Sequence, residues 1–255
     1  MPECIFCGAR NAKLTREDIL SKWVSGVLLD LRPSGVGFEV EINRTPKPYQ
    51  TKSLDLSPRV LCAPCNGGWM AGLDGTVKPI LEPLIGGQAR SLSRRQQRAI
   101  STWVVAKLMV AEFLAEDENN NFFTVDERRV LREKGELPDG VGVLIAQYAG
   151  TQDALLRGEV RGWTTDEFPG SIVPGAVACY GAGHLLILLV AQRFLEDESI
   201  NQVTFHAKAP GGVVPIWPVQ SRQKWPPQPA VSDAQLERFF ESFGKTIETF
   251  VDAPP

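Results

Sequence analysis

Cys62-Ala63-Pro64-Cys65-Asn66-Gly67-Gly68-Trp69-Met70 answers, across the front of the chain, to Cys4-Ile5-Phe6-Cys7-Gly8. Each run is a Cys-x-x-Cys pair. A thiolate at each end of a tight turn grips one face of a metal, and two such turns complete a closed tetrahedral Zn²⁺ site of the structural kind. Gly8 after the first pair and Gly67-Gly68 after the second are read as letting the backbone bend back toward the metal. The competing reading is two unrelated buried or redox-active pairs. A thioredoxin-like motif, however, needs one such pair beside a strand–helix unit, not two pairs bracketing a segment.

Between the pairs lies Leu14-Thr15-Arg16-Glu17-Asp18-Ile19-Leu20-Ser21-Lys22-Trp23. Cys-x-x-Cys, an acidic dipeptide, and Cys-x-x-Cys followed by Asn together resemble the zinc-containing HNH endonucleases, the ββα-metal or His-Me finger group. The resemblance covers about residues 3–75, under a third of the chain. It implies a metal-dependent endonuclease scaffold acting on DNA, with Glu17 and Asn66 holding one divalent cation, Mg²⁺ or Mn²⁺. The general-base position of the family, normally His, is Asp18 here. Histidine starts near a pKa of about 6.5 and aspartate near about 3.9, so Asp18 is a poor proton acceptor at neutral pH unless its surroundings raise it. Asp18 then either orients and deprotonates water or joins Glu17 and Asn66 as a third oxygen ligand. Arg16 and Lys22 stand next to these positions as phosphate contacts. The alternative function is a catalytically inactive zinc module that binds nucleic acid or a protein. A plainer alternative for Glu17 and Asp18 is that they favour the positive end of the helix starting near Ser21. The two histidines, His184 and His206, lie far downstream and read as strand residues of another domain.

Composition narrows the class. At 255 residues and 43% hydrophobic, the chain can bury a sizeable core. No apolar run approaches the roughly 18 residues of a membrane span, so no membrane partner is expected. Met1-Pro2-Glu3-Cys4 lacks the basic-plus-apolar pattern of a signal peptide. Free thiols at metal spacing fit a reducing compartment, so a cytoplasmic location is expected. Cys179, outside the pairs, reads as a small buried residue. The net charge of −3 excludes a uniformly basic nucleic-acid binder, but residues 1–110 carry 15 Lys and Arg against 9 Asp and Glu, while residues 111–255 carry 12 against 21. A basic front and acidic back suit a module that meets phosphates joined to one that does not.

The fold expected is α+β: an N-terminal ββα-metal-like zinc module over 1–88, then helices and a mainly antiparallel sheet over 89–255, with Gly86-Gly87 near the boundary. Ser21–Leu31 has helical spacing. Phe38–Ile42 and Thr51–Leu56 alternate and predict a two-stranded ribbon around Asn43–Pro48. A helix is predicted from Asn66 to about Leu73. Ser93-x-x-Gln96 and Thr124-x-x-Glu127 are capping boxes that open helices. Arg90, Arg94, Arg95 and Arg98 crowd the first of these. Arg94 and Arg95 are candidate nucleic-acid contacts, or part of a solvated face. Strands are predicted at 141–148, 158–164, 176–180, 185–192, 203–208 and 213–217, with Gly181-Ala182-Gly183 as a hairpin turn. Trp217-Pro218 and Trp225-Pro226-Pro227 predict an extended arm over the sheet. Ser232 opens a final amphipathic helix whose stripe of Leu236, Phe239, Phe240, Phe243 and Ile247 is core or a surface for a protein partner.

Overall fold

The computed structural model describes residues 3–34, 36–42, 45–48, 56–114, 121–165, 168–193 and 212–244. The expected strand at 203–208, with His206, lies outside them. So do most of Thr51–Leu56 and the end of the final helix stripe.

Two antiparallel strands, β1 (Leu14–Arg16) and β4 (Arg59–Cys62), pair as Leu14 with Cys62 and Thr15 with Leu61. Helix α1 (Lys22–Leu31) follows β1 and buries Val24 and Leu28. After β4 the chain enters one π-helical stretch, Pro64–Met70, and runs on as α2 (Ala71–Ile85). Proline at the start costs nothing there, because its missing N–H is one the first turn leaves unpaired anyway. The antiparallel pair and the helix after its second strand make a ββα arrangement, with α1 and residues 32–58 between the two strands in the chain.

Two local expectations are corrected here. The helix after Cys65 does not stop near Leu73. It passes through Pro79 and Pro83 to Ile85, because Val77, Ile80, Leu81, Leu84 and Ile85 bury one stripe at helical spacing, and that packing outweighs the proline penalty. Gly67 and Gly68 do not bend the chain toward a metal: both are helical and face open space. In the first knuckle the expectation fits, since Gly8 has φ of +67° and Asn11 of +59°.

The main sheet has seven strands in the order β10-β6-β9-β8-β7-β2-β3. Its members are β2 (Phe38–Ile42), β3 (Thr45–Pro48), β6 (Val141–Gln147), β7 (Ala154–Thr165), β8 (Phe168–Ala182), β9 (Leu185–Gln192) and β10 (Val214–Trp217). Every neighbouring pair is antiparallel except β2 with β7. The ribbon partner of Phe38–Ile42 is therefore Thr45–Pro48, inside the predicted connection, and the pair joins the large sheet instead of the metal module. Gly183 (φ +53°) and His184 form the turn between β8 and β9.

β9 explains the layering. Its eight residues are all buried. Leu185, Ile187, Leu189 and Ala191 belong to the larger core with α2 and α3 (Arg94–Ala111), whereas Leu186, Leu188 and Val190 pack with α5 (Asp233–Gly244). A strand covered on both faces loses its polar alternation, so a continuous apolar run is what its position demands. The α5 residues Leu236, Phe239 and Phe240 are buried against this second face. The larger core also takes in Cys4, Phe6, Ile19 and Met70, so one hydrophobic cluster runs across residue 88.

Both capping boxes form. Ser93 accepts from the Gln96 amide and Thr124 from the Glu127 amide, with each N3 side chain returning the bond, at the starts of α3 and α4 (Val125–Lys134). The Trp-Pro segment is not an arm over the sheet: β11 (Gln223–Trp225) pairs with β5 (Arg90–Leu92) as a separate antiparallel ribbon, and Trp225 is buried. The architecture is α+β. Among the described residues, no helix is long and apolar enough to cross a membrane.

Candidate metal centre

The ββα unit brings the four paired cysteines together. The sulfurs of Cys4, Cys7, Cys62 and Cys65 all lie within 4.8 Å of one another. Cys4, Cys62 and Cys65 are buried and Cys7 is partly so. Cys7 Sγ and Cys62 Sγ are 3.6 Å apart. That is far from the roughly 2.05 Å of a disulfide. It is close to the edge of about 3.8 Å that a tetrahedron with Zn–S bonds of about 2.3 Å requires. The donor set therefore fits one metal ion such as zinc.

The knuckles are held before any metal is considered. The Gly8 amide donates to the Cys4 carbonyl at 2.8 Å and the Ile5 amide to the Val60 carbonyl at 3.2 Å, tying the first knuckle to β4. The edge of Trp69 meets Phe6 with ring centroids 4.6 Å apart, so Trp69 is packing under the cluster. From α4, Arg132 Nε donates to Cys65 Sγ at 3.3 Å. With the protein alone as environment, burial raises the Cys65 and Cys62 thiols. Burial also pushes on Cys4, but the amides of Cys62, Cys7 and Phe6 outweigh it and bring Cys4 down to about 7. A bound divalent ion holds all four as thiolates.

Beside this cluster sits a second charged one. Glu17 follows β1 but is only 5% exposed, and Lys107, from the middle of α3, is 0% exposed. Lys107 Nζ lies 2.5 Å from Glu17 Oε1, 2.8 Å from the Asp18 carbonyl and 3.6 Å from Asp74 Oδ2. An ammonium has three protons to donate, and three oxygens face this one. Asp74, on α2, accepts at Oδ1 from Ser21 Oγ and from Trp103 Nε1, both at 2.7 Å. Burial holds the Glu17 carboxyl above its ordinary range against the opposing pull of Lys107. Trp103 stacks edge-on against Tyr180 at 5.1 Å, closing the cluster from the sheet side.

The remaining expected residues are placed as follows. Asn66 is partly buried, and its amide donates to Thr15 Oγ1 at 2.9 Å and to the Arg16 carbonyl at 2.6 Å. It thus clamps the helix start onto β1. Asp18 is half-buried and supplies its backbone oxygen to Lys107. Arg16 and Lys22 are exposed near the ββα unit, as are Arg94 and Arg95 at the start of α3. His184 is exposed, with its ring against Gly87, away from both clusters by element. Cys179 is fully buried, and burial raises its thiol.

Sequence reasoning missed Lys107, Asp74 and Arg132. The signal for Lys107 was present: it is the lone charge in Trp103-Val104-Val105-Ala106-Lys107-Leu108-Met109-Val110-Ala111, and a charge at a core position demands a buried partner. Nothing local marks Asp74 or Arg132. Comparison with protein-family models, with curated proteins and with solved structures returned no match for this chain.

Proposed function

We propose that the two cysteine knuckles, β1, β4 and the helix that follows form a zinc-stabilised ββα module of the HNH type that binds DNA without cutting it at Glu17. Zinc at the four cysteines holds the two strands and the helix together. The observation that carries the non-hydrolytic half of this reading is the Lys107–Glu17 contact of 2.5 Å in a site closed to solvent. A divalent cation at Glu17 would stabilise the charge developing on a phosphodiester, yet the carboxylate it needs already holds an ammonium. Asn66 donates its amide nitrogen to Thr15 and to the Arg16 carbonyl, which supports a role in fastening the helix start to β1. Lys107 on the Glu17 carboxylate is what supports leaving Mg²⁺ or Mn²⁺ out of a Glu17–Asn66 site. The exposed Arg16 and Lys22 beside the strand support contact with phosphates.

The test is supercoiled-plasmid cleavage and gel retardation with Mg²⁺, Mn²⁺ and no metal, on the native protein, Glu17→Ala and Asp18→His. Retardation without metal-dependent cutting is expected from the native chain. Cutting by the native protein that Glu17→Ala abolishes would restore the endonuclease reading, with Asp18 in the base position. Failure to retard DNA under any condition would remove the DNA-binding half.

A further inference from the structure

The ribbon of β5 and β11 changes the meaning of the arginines at the start of α3. Lys224 is opposite Ser91, and Trp225 is opposite Arg90. Gln97, 0% exposed, fastens the ribbon to the helix. Its Nε2 donates to the carbonyls of Leu92 (3.1 Å) and Ser221 (2.8 Å), and its Oε1 accepts from the Gln220 amide (3.1 Å). Arg222 is the next residue after Ser221, so this clamp sets it at the first turns of α3. Six exposed basic residues thereby stand on β5, the first turns of α3 and the segment leading into and forming β11: Arg90, Arg94, Arg95, Arg98, Arg222 and Lys224. Residues 86–105 and 212–232 contain no Asp or Glu. Among the described residues none of the six meets a carboxylate, and Arg98 donates only to the Gly135 carbonyl at 3.2 Å.

Stability gives no reason for this arrangement. The first turn of α3 holds no acidic residue, and cations there oppose the positive end of the helix. The capping box pairs the Ser93 and Gln96 amides, and the positive charge of the patch is carried by its side chains. The exposed large apolar residues, Leu29, Leu31, Val125 and Val160, belong to other elements, so the patch has no apolar anchor for a bilayer. A dense row of like charges without such an anchor matches the phosphate backbone of a nucleic acid.

We infer that the surface of β5, the first turns of α3 and β11 is the main phosphate-contacting face of the protein, and that it takes duplex DNA through its backbone, without base readout. This rests on the DNA binding proposed above and moves its principal contact away from Arg16 and Lys22. Six phosphate contacts give a log–log salt slope of about −5, so affinity falls about a thousandfold between about 50 and about 200 mM salt.

The experiment is fluorescence anisotropy of the full chain with a labelled mixed-sequence duplex across that salt range, with zinc content and helix ellipticity checked for each variant. The combined Arg94→Gln, Arg95→Gln, Arg222→Gln, Lys224→Gln variant is expected to retain about two contacts, with a fall of only about tenfold over the same range. An Arg16→Gln, Lys22→Gln variant is expected to stay within about threefold of native at each salt concentration, because those contacts are secondary. An unchanged slope in the four-site variant, with native binding intact, would overturn this inference and leave the DNA-binding proposal standing. Absence of native binding would remove both. Equal competition by vesicles of anionic phospholipid would overturn the choice of nucleic acid as the occupant. Since all four substitutions are at exposed positions and only remove charge, single Arg95→Gln and Lys224→Gln variants, each lowering the slope by about one, keep the test open if the combined variant misfolds.

Discussion

The cysteine cluster and the Glu17 cluster are two anionic sites in one ββα unit, and they find their positive charge in opposite ways. Among the described residues, the four sulfurs within 4.8 Å have the Arg132 guanidinium beside Cys65, and the set fits an ion taken from solution. Glu17 and Asp74 have Lys107, delivered by α3 from residues the chain reaches much later. On the proposed reading, the first site makes folding depend on metal supply. The second ties the ββα unit to the helical layer of the rest of the molecule and makes that tie independent of metal. On the proposed reading, one scaffold holds a structural ion at the cysteines while a side chain fills the position beside Glu17.

Removing the metal should have the largest effect. Structural zinc in small modules contributes on the order of 10 kcal/mol, so a strong chelator, or Cys65→Ser, should melt the ββα unit. Circular dichroism and metal analysis check this; a chelated protein with native thermal stability would break the comparison at its first term. Next is Lys107→Met, which leaves Glu17 buried and unpaired and should cost about 3–5 kcal/mol in denaturant unfolding. Adding Glu17→Gln to it should recover part of that loss, since two neutral groups avoid the buried lone charge. Additive costs in the double variant would mean that the two side chains do not act as a pair.

Asn66→Ala should cost about 1–3 kcal/mol, because the Thr15 hydroxyl and Arg16 carbonyl lose a shared donor at the junction of the two sites. It should leave the metal content unchanged; loss of metal would make Asn66 part of the cysteine site.

Acid should separate the sites most gently. The Glu17 carboxyl lies above its ordinary 4.5 in the folded protein. Its contribution to stability is therefore present below the unfolded value and fades as pH rises through the folded one. The cysteines run the other way, since metal binding requires thiolates and weakens as they protonate. Unfolding on acidification should coincide with metal release. Loss of helix ellipticity while metal is still bound would show that the carboxylate cluster gives way first.

What could be read in the sequence followed the range of the interactions. The cysteine spacing and the Ser93 and Thr124 capping boxes rest on residues a few positions apart, and the structure has them; the hairpin predicted at Gly181-Ala182-Gly183 is also there, with its turn shifted to Gly183-His184 because Gly181 and Ala182 stay in the strand. The parallel pairing of Phe38–Ile42 with Ala154–Gly158 and the docking of Gln223–Trp225 onto Arg90–Leu92 join distant segments with no local mark. The helix end predicted near Leu73 failed in the other direction, since a buried stripe carries the helix through Pro79 and Pro83 to Ile85. At the candidate site, the ligands were legible as a pattern, but Glu17's partner was not: Lys107 had to be read as an anomaly in an apolar helix and then connected across the fold.

Metal stoichiometry by native mass spectrometry, with zinc retained and excess Mn²⁺ added, tests the central claim most directly. One metal per chain is expected, lost in Cys65→Ser and unaffected by Glu17→Ala. Two metals per chain, the second lost in Glu17→Ala, would contradict the claim that Lys107 fills the cation position beside Glu17.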